Sequence, residues 1–487
     1  MSKFNETNTK KTTNKSGHIA YSMNDKELLM SQVLTTFFNE KKFYGDNSKQ
    51  LIETATKVIA NGGTKFVANL ARYARKEMHL RSVSHVLTCI VANHTNSKLY
   101  TKVVVADVIE RADDITEILA CYLDMFGKPI PNALKKALAT AMNKFDAYAF
   151  KKYNGGNKSI KFKDVLKLTH AKPKDAKQEK IFNQILNDTL PAIQTWQTEL
   201  SSNGNTEESW EILLENNKLG YMAALRNLRN IINANPKNID KVYELLTNKE
   251  AVLKSKQLPF RFFSAYQELQ SVTKAGTKVF DVLETAIEYS VENMQKLPGT
   301  TVIAIDTSGS MRGNISEKST IRCCDISRLL GVLATRICDN AIVYTFNNSL
   351  EKQAISTRSG IIETAMKIPF NGGGTNLTLP LQEMINKKIH ADRLIMLSDN
   401  EINSSGSYWG SYRGYKDTCE KLASEYRKKV NPDLWTHAID LQGYGTQQFD
   451  GARTNIIAGW SEKVLDFISL AETDRAKQVE MIENYGE

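Results

Sequence analysis

A repeat array of paired α-helices followed by a doubly wound α/β domain is the fold class that this sequence predicts, on three observations. From Asp46 to Lys296 apolar residues recur every three to four positions, and the turns between these runs are marked by Gly and Pro. Beyond Pro298, short apolar runs of strand type alternate with helical patterns, the order that gives a parallel sheet with crossover helices. The chain has 487 residues and 54.8 kDa, enough for two to four cores, so one α/β domain does not account for it. The expected division is a loose tail over 1–17, a helical domain over 18–298 and an α/β domain over 299–487.

The first residues, Met1 to Ser16, are Asn, Thr and Lys with almost no apolar content, which is neither a leader sequence nor a helix. After the Gly62-Gly63 turn, Phe66, Val67, Leu70, Ala71, Tyr73 and Ala74 form one stripe and leave Arg72, Arg75 and Lys76 more exposed. Asp114 and Glu117 read as a capping pair for a helix buried through Ile115, Ile118, Leu119, Tyr122 and Leu123 and stopped at Gly127; Pro131 opens the next. About a dozen such helices with short loops suit a solenoid of stacked pairs, although a compact bundle has the same periodicity.

One segment of the helical half departs from its surroundings. Between Lys151 and Lys177 there are nine lysines, among them Lys152, Lys163, Lys167 and Lys172, against only Asp164 and Asp175. Tyr148, Phe150, Tyr153 and Phe162 are interleaved or adjacent, and His170 lies near the end. Lysines hold phosphates without reading sequence, while aromatic rings and His stack on or hydrogen-bond to exposed bases. The same aromatics could instead anchor a loop on the helices, with the lysines solvated.

In the second half, Val302 to Ile305 is a strand that ends in Asp306, followed by hydroxyls at Ser308 and Ser310. Gly372-Gly373-Gly374 presents Thr375, and the apolar run Leu394 to Leu397 ends in Ser398-Asp399. In an open parallel sheet these strand ends share one crevice, so Asp306, Ser308, Ser310, Thr375 and Asp399 are expected around one hard cation, Mg2+ or Mn2+. Taken singly, each is also an ordinary helix cap after a strand. Helices are expected over Lys318 to Asp339, Leu377 to Ile389 and Tyr415 to Val430, and strands over Ala341 to Phe346, Leu434 to Leu441 and Asn455 to Ala458.

Composition narrows the function. A hydrophobic content of 41% with 24% charged residues belongs to a globular protein, and no apolar run is long enough to span a bilayer. The six cysteines form no C-x-x-C pair and sit in apolar patterns, as reduced core residues of a cytoplasmic protein would. Of the net charge of +10, residues 299–487 contribute −2 and the rest +12. The basic excess therefore lies wholly in the helical half, which favours a polyanion such as nucleic acid, or a solvated basic surface.

The D-x-S-x-S run of Asp306, Ser308 and Ser310 resembles the metal-ion-dependent adhesion site of von Willebrand factor A domains. In that family Thr375 and Asp399 would be the second and third loop contributions, and a partner's acidic group fills an open metal position. The chain as a whole resembles the TROVE family, from about His18 to Ala471. The resemblance rests on Ala71-Arg72-Tyr73-Ala74-Arg75, Leu80-Arg81-Ser82-Val83, Phe145-Asp146-Ala147-Tyr148, Asp164 to Pro173, Ala224-Leu225-Arg226-Asn227-Leu228 and Leu258-Pro259-Phe260-Arg261-Phe262.

This resemblance implies a HEAT-like helical ring joined to the A domain, and an RNA-binding protein of noncoding-RNA surveillance. It implies Y RNA on the outer basic face, with Lys152 and His170-Ala171-Lys172-Pro173 as contacts, and single-stranded 3′ ends of misfolded RNA in the hole, with Arg75, Arg81, Arg226 and Arg261 as candidates. An exoribonuclease is a further implied partner, and the protein itself is expected to be a monomer within a ribonucleoprotein, without a membrane. Two other classes remain open: a metal-dependent phosphoesterase at Asp306, against which stands Ser308 where such sites carry a second carboxylate, and a protein-interaction module without RNA.

Overall fold

Burial on both faces makes Val302 to Ile305 the centre of a sheet, and the stripes seen in the helical half become buried seams between helices. The computed structural model describes residues 10–13, 19–22, 24–35, 46–94, 97–155, 158–193, 195–314, 320–399, 419–441, 449, 453–458, 464–465, 468–469, 472 and 475–486. The chain forms two compact units, one made of 24–194 with 476–487, the other of 1–23 with 195–475. The sequence also offers a glycine-rich aromatic run over 404–415, with Tyr408, Trp409 and Tyr412, as a docking or stacking surface, and Glu401 as a spare carboxylate two residues after Asp399; both lie outside the described residues. Lys10–Thr13 (β1), within the segment read as a loose tail, pairs antiparallel with Ile19–Ser22 (β2), at the start of the segment read as helical.

The first unit contains helices α1 (Asp25–Thr35), α2 (Asp46–Ala60), α3 (Thr64–Lys76), α4 (Ser82–Asn93), α5 (Lys98–Val108), α6 (Ala112–Phe126), α7 (Asn132–Ala141), α8 (Ala147–Tyr153), α9 (Phe162–Thr169) and α10 (Ala176–Leu186). Helices α3, α5, α7 and α9 pack each on the next in that series, and α4, α6 and α8 do likewise. This is the two-layer order of a solenoid rather than of a bundle. Phe66, Val67, Leu70, Ala71 and Ala74 of α3 are buried as the spacing predicts.

A buried charge cluster joins three of these helices. Asp114, fully buried near the start of α6, accepts from Arg81 Nε at 2.6 Å and Arg75 Nη2 at 3.1 Å, and lies 3.2 Å from His85 Nε2. It also accepts from the backbone N–H groups of Glu110 and Arg111, which fixes the turn before the helix. Burial alone would raise its pKa, but His85, Arg81 and Arg75 hold it well below the usual carboxylate range. The carboxyl-terminal helix Arg475–Glu483 and the residues after it also belong here, with Ile482 fully buried and Asn69 donating to the Glu483 carbonyl at 2.7 Å.

The second unit begins with helices α11 (Trp196–Asn203), α12 (Glu207–Glu215), α13 (Tyr221–Arg226), α14 (Leu228–Ala234), α15 (Asp240–Thr247), α16 (Lys249–Ser255), α17 (Pro259–Leu269) and α18 (Thr277–Val291). The α/β part follows as β3 (Leu297–Asp306), α19 (Cys323–Ile337), β4 (Cys338–Phe346), β5 (Leu350–Gln353), α20 (Ile361–Lys367), α21 (Leu379–Asn386), β6 (Arg393–Ser398), α22 (Cys419–Lys429), β7 (Trp435–Asp440) and β8 (Thr454–Ala458). The sheet order is β5-β4-β3-β6-β7-β8, parallel except for the β5 edge.

Cys338, Asp339 and Asn340 belong to β4 rather than to the preceding helix, which the sequence pattern carried on through Asp339. At the amino terminus of α20 the Glu284 carboxylate, from α18, accepts from the N–H groups of Ile362 at 3.1 Å and Glu363 at 2.7 Å, so a helix that lacks its own cap borrows one. All six cysteines are free thiols, and all but Cys338 are buried. Among the described residues, no helix is long and apolar enough to cross a membrane.

Candidate functional site

Strand geometry brings the predicted oxygen ligands together at the carboxyl ends of β3 and β6. Parallel pairing places Ile305 opposite Leu397, so Asp306 and Ser398 follow side by side. Asp306 is fully buried: its Oδ1 accepts from the Ser308 N–H at 2.8 Å and its Oδ2 from the Ser398 hydroxyl at 2.5 Å. The Ser308 and Ser310 hydroxyl oxygens are 3.2 Å apart.

The turn that carries Thr375 is tied to this loop by main chain alone, Gly372 N–H donating to the Thr307 carbonyl and Gly309 N–H to the Gly373 carbonyl, each at 2.9 Å. Gly372 and Gly373 have φ of +70° and +91°, a conformation that favours glycine and accounts for the glycine run. Thr375 is 1% exposed and its hydroxyl has no hydrogen-bond partner among the described residues. Such an orphan in a protein interior calls for a group that meets it.

Burial, and then the nearby charge of Asp399, push the Asp306 carboxyl up to about 7. A buried carboxylate held next to a second one, with three hydroxyls and one of them unpaired, is a hard-oxygen donor set that fits a divalent cation. Among the described residues, no group of three or more His, Cys, Asp or Glu is placed to hold a metal ion. Ser398 was legible as the last residue of a strand, but its bond to Asp306 follows only from the register of β3 against β6.

The basic segment of the first unit occupies α8, α9 and the loop after them. Lys152, Lys167, His170 and Lys172 are exposed and have no ion-pair partner among the described residues. Tyr148 is 50% exposed; Lys152 Nζ stands 6.0 Å from its ring centre and 5.5 Å from that of Tyr153, which also packs on Arg111 at 4.8 Å. Phe150 and Phe162 are instead core residues in edge-to-face contact at 4.9 Å, so the interleaved aromatics divide between anchor and surface. His170 ends α9 at φ +50°, a left-handed cap that turns the chain outward. The loop that follows is clamped by Asn143, which donates to the Lys172 carbonyl at 3.0 Å and accepts from the Lys174 N–H at 2.9 Å. No local sequence signal links Asn143 to that loop.

The remaining candidates separate. Lys163 is paired with Asp188 at 3.1 Å. Arg226 and Arg261, both in the second unit, are exposed. Arg75 and Arg81 are engaged within the fold: Arg75 is 6% exposed and bound to Asp114, Glu110 and the Val108 carbonyl, and Arg81 is held by Asp113, Asp114 and Glu117. An acidic helix start, Asp113-Asp114, captures both guanidinium groups.

Two protein-family profiles match the chain, the TROVE domain over residues 13–191 and 186–297 and the Ro60 vWA domain over residues 300–426. Telomerase protein component 1 of Rattus norvegicus is 40% identical over 82 residues, and that of Mus musculus 37% over 81 residues. Each match covers 16% of this chain and only 3% of the curated protein. The crystal structure of the Deinococcus radiodurans Ro (RSR) protein superimposes with a TM-score of 0.63 over 92% of this chain and 100% of that chain. At 15% identity the likeness is one of fold.

Proposed function

The chain belongs to the TROVE family, which binds RNA, and joins that domain to a von Willebrand factor A domain of the Ro type; from this premise we propose that it is a noncoding-RNA quality-control scaffold that holds a Y-type RNA on the α8–α9 face. The observation that carries this reading is the set of lysines without ion-pair partners among the described residues, Lys152, Lys167 and Lys172, together with the His170 ring on one exposed segment, beside the exposed Tyr148 ring. Unneutralised lysines on a fixed surface release counterions from a phosphate backbone, and an exposed ring accepts an unstacked base. Single-stranded 3′ ends of misfolded RNA are assigned to Arg226 and Arg261, and an exoribonuclease is the proposed partner in the cytoplasm. The scaffold itself performs no bond chemistry in this reading.

The test is crosslinking in the native cell, followed by sequencing of RNA recovered with wild type and with a Lys152, His170 and Lys172 triple alanine variant. A discrete structured RNA lost in the variant is the expected result; no enrichment over background overturns the proposal.

A second reading concerns the A domain, and the orphaned Thr375 hydroxyl is what favours it. Asp306, Ser308, Ser310, Thr375 and Asp399 would hold Mg2+ or Mn2+, which when bound supplies an electrophilic anchor for an acidic group of a partner. Asp306 and Asp399 bring the compensating charge, and Ser398 orients Asp306. Magnesium-dependent RNA degradation by the purified protein, lost in Asp306→Ala, would replace this platform with a phosphoesterase.

A further inference from the structure

We propose that Arg312 and Phe370 form a second anion subsite beside the Asp306 cluster, so that the A domain takes an acidic polypeptide segment presenting two carboxylates rather than one. The proposal rests on the cation-platform reading above and adds the class of ligand to it.

Arg312 follows the Asp306 to Ser310 loop by two residues, and its backbone is fixed on both sides. Met311 before it is fully buried, and Gly313 after it donates to the Ser310 carbonyl at 3.3 Å and accepts from the Cys323 N–H at 2.9 Å. Phe370 leads into the turn that presents Thr375. The guanidinium carbon of Arg312 lies 5.4 Å from the centre of the Phe370 ring and that of Arg322 lies 6.0 Å from it. A Cβ added to Gly372 would sit 3.5 Å from Arg312 Nη2, which places the Arg312 charge directly alongside the Thr375 turn.

The two guanidinium groups on this ring differ in what they already hold. Arg322 binds Asp325 through Nε at 3.1 Å and Nη2 at 3.0 Å, and so is neutralised within the fold. Arg312 is exposed and has no carboxylate partner among the described residues. An arginine immobilised on a ring but left unpaired offers two or more parallel N–H donors without the entropic cost of ordering a free side chain, the geometry that suits a planar carboxylate or a phosphate.

Charge distribution selects between those two acids. Residues 299–487 carry 21 Lys and Arg against 23 Asp and Glu, so this half has no excess to draw a nucleic acid, whereas the basic excess lies in the helical half. A ligand with two localised charges, one for the cation position and one for Arg312, matches a domain that is near neutral apart from these points.

The experiment uses the full-length protein and two fluorescein-labelled peptides of equal length, one with two aspartates separated by a glycine and one with the second aspartate replaced by asparagine. Binding is read by anisotropy in Mn2+ and in EDTA. The expected result is that the two-aspartate peptide binds about ten-fold more tightly, the size of one oriented charge-assisted contact, and that Arg312→Ala removes this preference while leaving the weaker peptide unaffected. Arg312→Lys, which keeps the charge without the fork, retains only part of it.

Asp306→Ala or EDTA abolishes binding of both peptides if the underlying platform reading holds. Loss with Asp306→Ala but equal affinities for the two peptides overturns the Arg312 subsite alone. Binding of neither peptide under any condition overturns the platform and the subsite together. Arg312-dependent displacement of the peptide by a single-stranded oligoribonucleotide, at lower concentration than by unlabelled peptide, would assign the subsite to phosphate and overturn the polypeptide assignment.

Discussion

The guanidinium of Arg72 donates to the main-chain carbonyl of Tyr485 at 3.0 Å, and its carbon lies 5.5 Å from the centre of the Tyr485 ring. The same ring meets Tyr73 edge-on at 5.4 Å, and its hydroxyl donates to Glu77 at 2.6 Å. Residues near the carboxyl end are therefore part of the helical unit that starts at Asn24. Tyr485→Ala should lower the stability of that unit by about 1–3 kcal/mol, and Tyr485→Phe, which keeps the ring contacts, by about 1 kcal/mol or less. Urea denaturation followed by circular dichroism measures both; an alanine variant that unfolds with wild type shows the contact to be idle.

Asp114 is the acid on which Arg75, Arg81 and His85 converge. Asp114→Ala leaves the buried Arg75 guanidinium with the partly exposed Glu110 and the Val108 carbonyl as its remaining partners, and breaking a buried pair in this way costs about 3–5 kcal/mol. Thermal unfolding should shift down by several degrees or more, while Arg75→Met with Asp114→Leu should recover part of the loss.

Glu472 predicts an acid limb. Burial alone would raise its pKa, but bonds from His437 and Arg393, the latter through Nη2 at 2.9 Å, bring it down to about 2 from 4.5. Because the folded value lies below the unfolded one, its contribution is complete above about pH 4.5 and is lost as pH falls towards 2; the size is on the order of 3 kcal/mol. Stability measured from pH 6 to pH 3 should decline less steeply in Glu472→Gln, which starts lower.

On the basic face, Lys152→Ala with Lys172→Ala should reduce the slope of log affinity against log salt by about two units for a structured RNA, one for each phosphate contact. Asn143→Ala acts on the same loop without touching charge. It should weaken binding several-fold with the slope unchanged, as titrations at four salt concentrations would resolve.

Asp306 has its pKa shifted in the opposite direction to that of Glu472. Its carboxyl is pushed up to about 7, so a cation that it ligates competes with a proton below that value and binds more tightly as pH rises from 6 to 8. The rise in melting temperature caused by Mn2+ should be larger at pH 8 than at pH 6; equal shifts would remove Asp306 from the ligand set.

What the sequence made legible was whatever depends on local periodicity or on strand ends. The stripe of α3, the alternation after Pro298 and the convergence of Asp306, Ser308, Ser310 and the Thr375 turn follow from spacing and from the topology of parallel sheets. The roles of Arg75 and Arg81 did not, because an arginine on a helix face reads alike whether it meets phosphate or an aspartate some thirty residues on. The β5 edge and helix α20 were missed for a related reason: β5 is four residues long, and α20 takes its cap from Glu284, far away in sequence. Asn143 and Ser398 act only through contacts that the folded chain creates.

The lone hydroxyl of Thr375 also makes that position an unusually quiet place to cut. Its turn is shaped by glycine backbone bonds and by Asn347, which donates to the Gly372 carbonyl at 2.8 Å, none of which involves the Thr375 side chain, and valine has the outline of threonine without the oxygen. Thr375→Val therefore deletes one oxygen from the cluster while every bond that shapes the turn stays in place. Whatever the protein ceases to hold in that variant, it had been holding through a single atom.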